Sequence, residues 1–73
     1  MFRIGEFSKI AQVSGRLLRH YDELGLFKPE WTDPQTGYRY YSVKQLPELN
    51  RILALKELGL TLDQIARLLS GHI

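Results

Sequence analysis

Two short amphipathic stretches, residues 4–12 and 15–24, stand only a tight break apart, and that closeness restricts the fold more than any other feature of the sequence. Ile4, Phe7, Ile10 and Ala11 recur at the i, i+3, i+4 intervals of one helix face, while Glu6, Lys9 and Gln12 fall elsewhere. Val13, Ser14 and Gly15 interrupt the pattern. Ser14 is suited to cap the next helix, because its hydroxyl can accept an N–H that lacks a partner in the first turn. In the second stretch Leu17, Leu18, Tyr21 and Leu24 gather on one side at about 100° per residue. Arg16, Arg19, His20 and Glu23 gather on the other, and Gly25 closes the helix. Phe7, Ala11, Val13, Leu18 and Tyr21 are spaced to lock the two helices together, leaving the basic face outward.

The rest of the chain supplies a hairpin and two more helices. Residues 27–41 place aromatic stretches on either side of Asp33, Pro34, Gln35, Thr36 and Gly37, which are turn formers between strand formers. Alternation puts Tyr38 and Tyr40 on one face and Arg39 with Tyr41 on the other, and one of those faces must pack on the body. A third helix is expected over residues 42–58, with Ser42 and Gln45 spaced as a capping box. Pro47 cannot donate the hydrogen bond a regular helix from Ser42 requires, so an irregular first turn or a later start is expected. A fourth helix follows over residues 61–69, with Thr61 and Gln64 as a second box and Leu62, Ile65, Ala66, Leu68 and Leu69 as its apolar side. These two leucine-rich helices should form the floor beneath the first pair. The fold expected is mainly α, a winged helix-turn-helix of four helices with a two-stranded hairpin wing between the second and third.

A chain of 73 residues allows one domain, here residues 1–73, and a domain this small buries only about 60% of its unfolded surface. Without cysteine there are no disulfides and no thiolate metal sites. No apolar run approaches the roughly 20 residues of a membrane span, and residues 1–6 have no signal-peptide core. A soluble cytoplasmic protein is expected. The net charge of +2 says little, but its distribution says more. Up to Tyr21, Arg3, Lys9, Arg16 and Arg19 face one acid, Glu6, whereas from Gln45 onward Arg51, Lys56 and Arg67 are matched by Glu48, Glu57 and Asp63. A polyanion contact should therefore be sought in the first third.

Catalysis has little support. His20 and His72 are far apart, and there is no glycine-rich phosphate loop, paired-histidine metal spacing or nucleophile elbow. No enzyme activity, cofactor or metal is expected in this chain. Arg16, Arg19 and His20 instead form an outward face able to enter a major groove, where arginine can fork onto a guanine edge or clamp a phosphate. Arg39, set among tyrosines, suits a wing contact to phosphates. Two blander readings stay open: a small bundle with solvated arginines, and a protein-interaction module docking through its leucine-rich helices.

The residues also resemble a known family. Residues 4–11 (Ile-Gly-Glu-Phe-Ser-Lys-Ile-Ala), Val13 with Ser14, residues 18–22 (Leu-Arg-His-Tyr-Asp) and 25–29 (Gly-Leu-Phe-Lys-Pro) are similar to the MerR, or mercury-resistance regulator, family. Residues 37–41 (Gly-Tyr-Arg-Tyr-Tyr) and 58–65 extend the match over nearly the whole chain, and the wing looks most like the multidrug-responsive branch. The resemblance implies sequence-specific binding of double-stranded promoter DNA by a homodimer, which distorts an overlong spacer so that RNA polymerase can use it. It implies that Arg16, Arg19, His20 and Tyr21 lie on or beside the helix at the DNA and that Arg39, with a neighbouring tyrosine (Tyr38 or Tyr40), is the wing contact to phosphates; Ser14 at the helix start and Lys28 are further candidate DNA contacts. Family members often carry tyrosine where this chain has His20. The family's dimerisation helix and effector domain would follow Ile73, so the chain is expected to be the DNA-binding fragment of an effector-responsive regulator, or else a short excisionase-like form that bends DNA unaided.

Overall fold

A computed structural model describes residues 1–71 as β1 (Phe2–Arg3), α1 (Ile4–Ala11), α2 (Gly15–Glu23), β2 (Trp31–Thr32), β3 (Arg39–Tyr41), α3 (Leu46–Glu57) and α4 (Leu62–Leu69). His72, considered above for catalysis, lies outside the described residues. The four helices and the hairpin stand in the expected order, and the fold is mainly helical.

Local chemistry sets most of the boundaries. Ser14 Oγ accepts the Leu17 N–H at 3.0 Å and starts α2. Gly25, at a φ of 71°, ends it, with the Leu26 N–H reaching back to the Tyr21 carbonyl at 2.8 Å. Thr61 and Gln64 exchange bonds of 2.9 and 3.1 Å at the head of α4, satisfying two backbone donors reciprocally. Pro47 resolves as a two-stage entry into α3. A 3₁₀ turn over Val43–Gln45 takes the Ser42 cap, and the Gln45 side chain accepts the Ser42 N–H at 3.0 Å. The α-helix then begins at Leu46, which leaves Pro47 in a first turn where its missing N–H has no partner to lose.

Two details differ from the sequence expectation. The first helix stops at Ala11, one residue short of the expected end, so the break covers residues 12–14, while α2 begins at Gly15 as expected. Gln12 makes the left-handed step at a φ of 58°, a conformation that costs a non-glycine residue roughly 1–2 kcal/mol. The sheet has three strands, in the order β1-β3-β2, because Phe2 and Arg3 pair antiparallel with Tyr41 and Tyr40. On its other edge β3 pairs with β2, Trp31 opposite Tyr40 and Thr32 opposite Arg39. Residues 27–30 form a loop, and Phe27 within it is buried.

Aromatic rings, more than leucines, occupy the centre. Phe7 from α1, Tyr41 from β3 and Phe27 from the loop lie nearly parallel, with centroids 4.8, 5.9 and 6.3 Å apart. Leu18 and Tyr21 of α2, Leu49 and Ile52 of α3 and Ile65 of α4 close around them. The expected leucine floor is narrow, since Leu58 and Leu68 remain largely exposed.

The Tyr41 hydroxyl is buried without a hydrogen-bond partner among the described residues. Burial, reinforced by the Asp22 charge, pushes the phenol up to about 12. A raised pKa gives stability that is full below pH ~10, where free tyrosine ionises, and is lost as pH climbs through the folded value. Removing a buried, unpaired hydroxyl relieves a desolvation cost of about 1–3 kcal/mol. Tyr41→Phe is therefore expected to raise the melting temperature near neutral pH and to flatten the loss of stability between pH ~10 and 12. Thermal melts followed by circular dichroism across that range measure both effects, and a lower melting temperature at pH 7 would show that the hydroxyl stabilises the core.

Candidate nucleic-acid interface

The amphipathic pattern of α2 decides what it can offer. Leu18 and Tyr21 turn into the core, and Arg16, Arg19 and His20 are exposed on the opposite side. Tyr21, placed at DNA by the family resemblance, is 4% exposed, and burial raises its phenol pKa. Its ring belongs to the core, and the little surface it keeps lies on the groove along α2.

Two open concavities collect the exposed cations. A groove of about 680 Å³ runs along α2, lined by Ser14, Arg16, Leu17, Arg19, His20, Tyr21 and one acid, Glu23, and bordered by Lys56 of α3 and Leu62 of α4. Lys56 was not singled out in the sequence, where it is one of three balanced cations far from the helix-turn-helix. Only the packing of the second helix pair brings it beside α2. A smaller notch of about 130 Å³ lies between the wing and the start of α1, lined by Arg3, Arg19, Gly37, Tyr38 and Arg39. Arg19 borders both.

The wing is braced at several points. The Asp33 N–H donates to the Tyr38 carbonyl at 2.9 Å, the Asp33 carboxylate accepts the Gln35 N–H at 2.8 Å, and Gly37 takes a φ of 77° that closes the turn. Alternation holds as expected: Tyr41 is core and Arg39 lies on the same inward side. There the Arg39 Nε donates to Asp22 Oδ2 of α2 at 2.7 Å, in a half-buried pair that raises the guanidinium pKa further, chiefly through that bond. Arg39 is thus a strut between wing and α2. Of the outward tyrosines, Tyr38 is exposed and carries the Arg3 guanidinium 4.0 Å above its ring, whereas Tyr40 is half-buried against Trp31. Lys28 is exposed in the loop, its carbonyl accepting the Gln45 amide at 2.7 Å, and it borders neither concavity. Among the described residues no three His, Asp or Glu side chains cluster as a metal site, and no helix is long and apolar enough to cross a membrane.

A tight helix pair with a basic second helix, flanked by a braced hairpin, defines a winged helix-turn-helix. Residues 2–72 match the model of the MerR HTH family regulatory proteins, and the chain belongs to that family. It is 47% identical over 68 residues to the transcriptional regulator BrlR of Pseudomonas aeruginosa, covering 93% of this chain and 25% of that protein. It is likewise 47% identical over 66 residues to the multidrug-efflux transporter 1 regulator of Bacillus subtilis, covering 90% of this chain and 24% of the relative. Among solved structures, EcmrR in its DNA complex within EcmrR-RPo superposes with a TM-score of 0.89 at 39% identity, over 92% of this chain and 25% of that one. The chain thus spans about a quarter of the length of these relatives.

Ser14 stands at once at the α2 cap and at the rim of the large groove. Ser14→Ala is expected to cost about 1 kcal/mol, lowering the melting temperature by about 4–8 °C in a domain of this size. Ser14→Asp keeps a capping oxygen and so keeps the melting temperature, but sets a negative charge on the groove and should weaken duplex binding. Melts and anisotropy on the two variants separate the roles, and equal duplex affinity for Ser14→Asp and the unaltered chain would remove Ser14 from the interface.

Proposed function

We propose that this chain reads double-stranded promoter DNA in sequence-specific fashion, as the DNA-binding unit, over residues 1–73, of a dimeric, effector-responsive transcription regulator. The observation that carries the proposal is the meeting of Arg16, Arg19, His20 and Lys56 on one open groove along the exposed side of α2. A helix with that face can enter the major groove, where Arg16 and His20 meet base edges while Arg19 and Lys56 grip the backbone. Ser14 at the helix start, Tyr38 on the wing and the free end of Arg39 complete the contact. Lys28 and Tyr40, which border neither concavity, are outer backbone contacts.

The relatives BrlR and the multidrug-efflux transporter 1 regulator support a role in regulating transcription, and the likeness to EcmrR in its DNA complex supports placement on DNA. RNA polymerase is accordingly a proposed partner, and a second copy of the full-length protein the proposed dimer mate. The function is one of binding, with no catalytic step, and is placed in the cytoplasm.

The test is fluorescence anisotropy of a labelled random-sequence duplex at about 50 and 200 mM salt, with protein at the micromolar concentrations that non-specific binding demands. Affinity should fall steeply with salt, and Arg19→Ala and Lys56→Ala should each make the log–log slope shallower by about 0.9. On a site selected from a random pool, Arg16→Ala should also narrow the gap between specific and random duplex. Absence of binding at low salt would overturn the proposal and favour a protein-docking role for the exposed Leu24, Leu58 and Leu68.

A further inference from the structure

Three arginines from three separate parts of the chain converge on the notch beside the wing: Arg3 from β1, Arg19 from α2 and Arg39 from β3. Such a gathering of like charge is unfavourable without an anion, yet the ion pairs among the described residues offset only one of the three. Each guanidinium of the outer two is also held in place. The Tyr38 ring centroid lies 4.0 Å from the Arg3 guanidinium carbon, a cation–π contact that favours this placement of the side chain. Asp22 accepts from the Nε of Arg39 alone, which orients the side chain and leaves its two terminal nitrogens without a partner among the described residues. Arg3, Arg19, Arg39 and Asp22 together carry two positive charges, with Glu6, whose carboxylate accepts the Arg3 backbone N–H at 3.3 Å, and Glu23 of α2 as further acids nearby.

We propose that this notch is a single phosphate-binding site, gripped by Arg3, Arg19 and Arg39, and that Asp22 is the positioning residue that aims Arg39 into it. Its ligand is one phosphate group carrying one to two negative charges. The source favoured by the position beside the recognition helix is a backbone phosphodiester of the bound duplex, so this inference rests on the DNA-reading function proposed above. The notch's volume of about 130 Å³ accommodates one such group. Planar guanidinium forks suit the tetrahedral oxygens, two nitrogens to a pair of oxygens. The site gives Arg3 a role that neither the family motif nor the helix-turn-helix pattern assigns. It also reverses the sign expected for Asp22. An acid beside DNA should repel it, so neutralising Asp22 ought to tighten binding. If Asp22 instead aims Arg39, neutralising it loosens binding.

The experiment uses the full chain and two probes. In 15N-edited spectra of the arginine Nε–H groups, titration with inorganic phosphate should shift Arg3, Arg19 and Arg39 along one shared saturation curve, leaving Arg51 and Arg67 in place. On the random duplex, Arg3→Gln should lower affinity and make the salt slope shallower by about 0.9. Asp22→Asn should lower affinity several-fold despite the gain in net positive charge, with melting temperatures recorded for both variants to confirm folding. Tyr38→Phe, which keeps the ring under Arg3, should leave the Arg3 phosphate shift intact, and Tyr38→Ala should weaken it. Three independent phosphate curves, or equal shifts at Arg51 and Arg67, would overturn the shared site. Phosphate binding with an Arg3→Gln slope equal to that of the unaltered chain would mark the notch as a free-anion site and overturn the duplex assignment. Tighter duplex binding by Asp22→Asn would overturn its positioning role. In these cases steep, Arg19- and Lys56-dependent binding to the duplex would leave the DNA-reading function standing, whereas failure of the unaltered chain to bind duplex at low salt would remove both.

Discussion

Tyr41 packs its ring against Phe7 and Phe27, and this contact is where separate parts of the chain become one body. Phe7 belongs to the first helix of the helix-turn-helix, Tyr41 to the central strand of the sheet, and Phe27 to the loop that leaves the second helix. Large near-parallel rings bury much apolar area per residue, which matters in a domain too small to build a deep aliphatic interior. The cost is an unpaired hydroxyl in the middle of the core.

The same contact sets the geometry of the wing. In a strand, residues two apart share a face, so an inward Tyr41 carries Arg39 inward as well. A charged side chain on that face needs a partner, and Asp22 supplies it from the side of α2. Tyr38 and Tyr40 are thereby left outward, where one supports Arg3 and the other leans on Trp31. The hairpin is tied to the recognition helix by a polar strut whose position follows from how one aromatic residue is buried.

Much of this was legible in the sequence where a residue acts through its immediate neighbours. Ser14, Ser42 and Thr61 start helices through hydroxyls that reach two or three residues along, and Gly25 ends one through its own backbone freedom. The two faces of α2 were readable because nine residues are enough to show a helical period. What escaped depends on contacts between distant segments or on elements too short to show a period. Two residues of β1 cannot display alternation, and Gln12 is not a residue type that announces a left-handed turn. Alternation divided the wing into faces but could not say that the face bearing Arg39 is the one held to the body. Lys56 and Arg3 join the cationic surface only through tertiary packing, 37 residues after and 16 residues before Arg19 in the sequence. Tyr21 was legible too: its period on the helix placed it in the core, where it is 4% exposed.

Arg19 borders both the groove along α2 and the notch beside the wing. A side chain shared between two adjoining surfaces couples their histories. Substituting it to alter one alters the other, so under the proposed DNA-reading function drift in sequence preference has an easier route through Arg16 and His20, which border the groove and not the notch. On that reading, diversification is channelled to one side of a single helix, while the arginine at its middle answers to both surfaces at once.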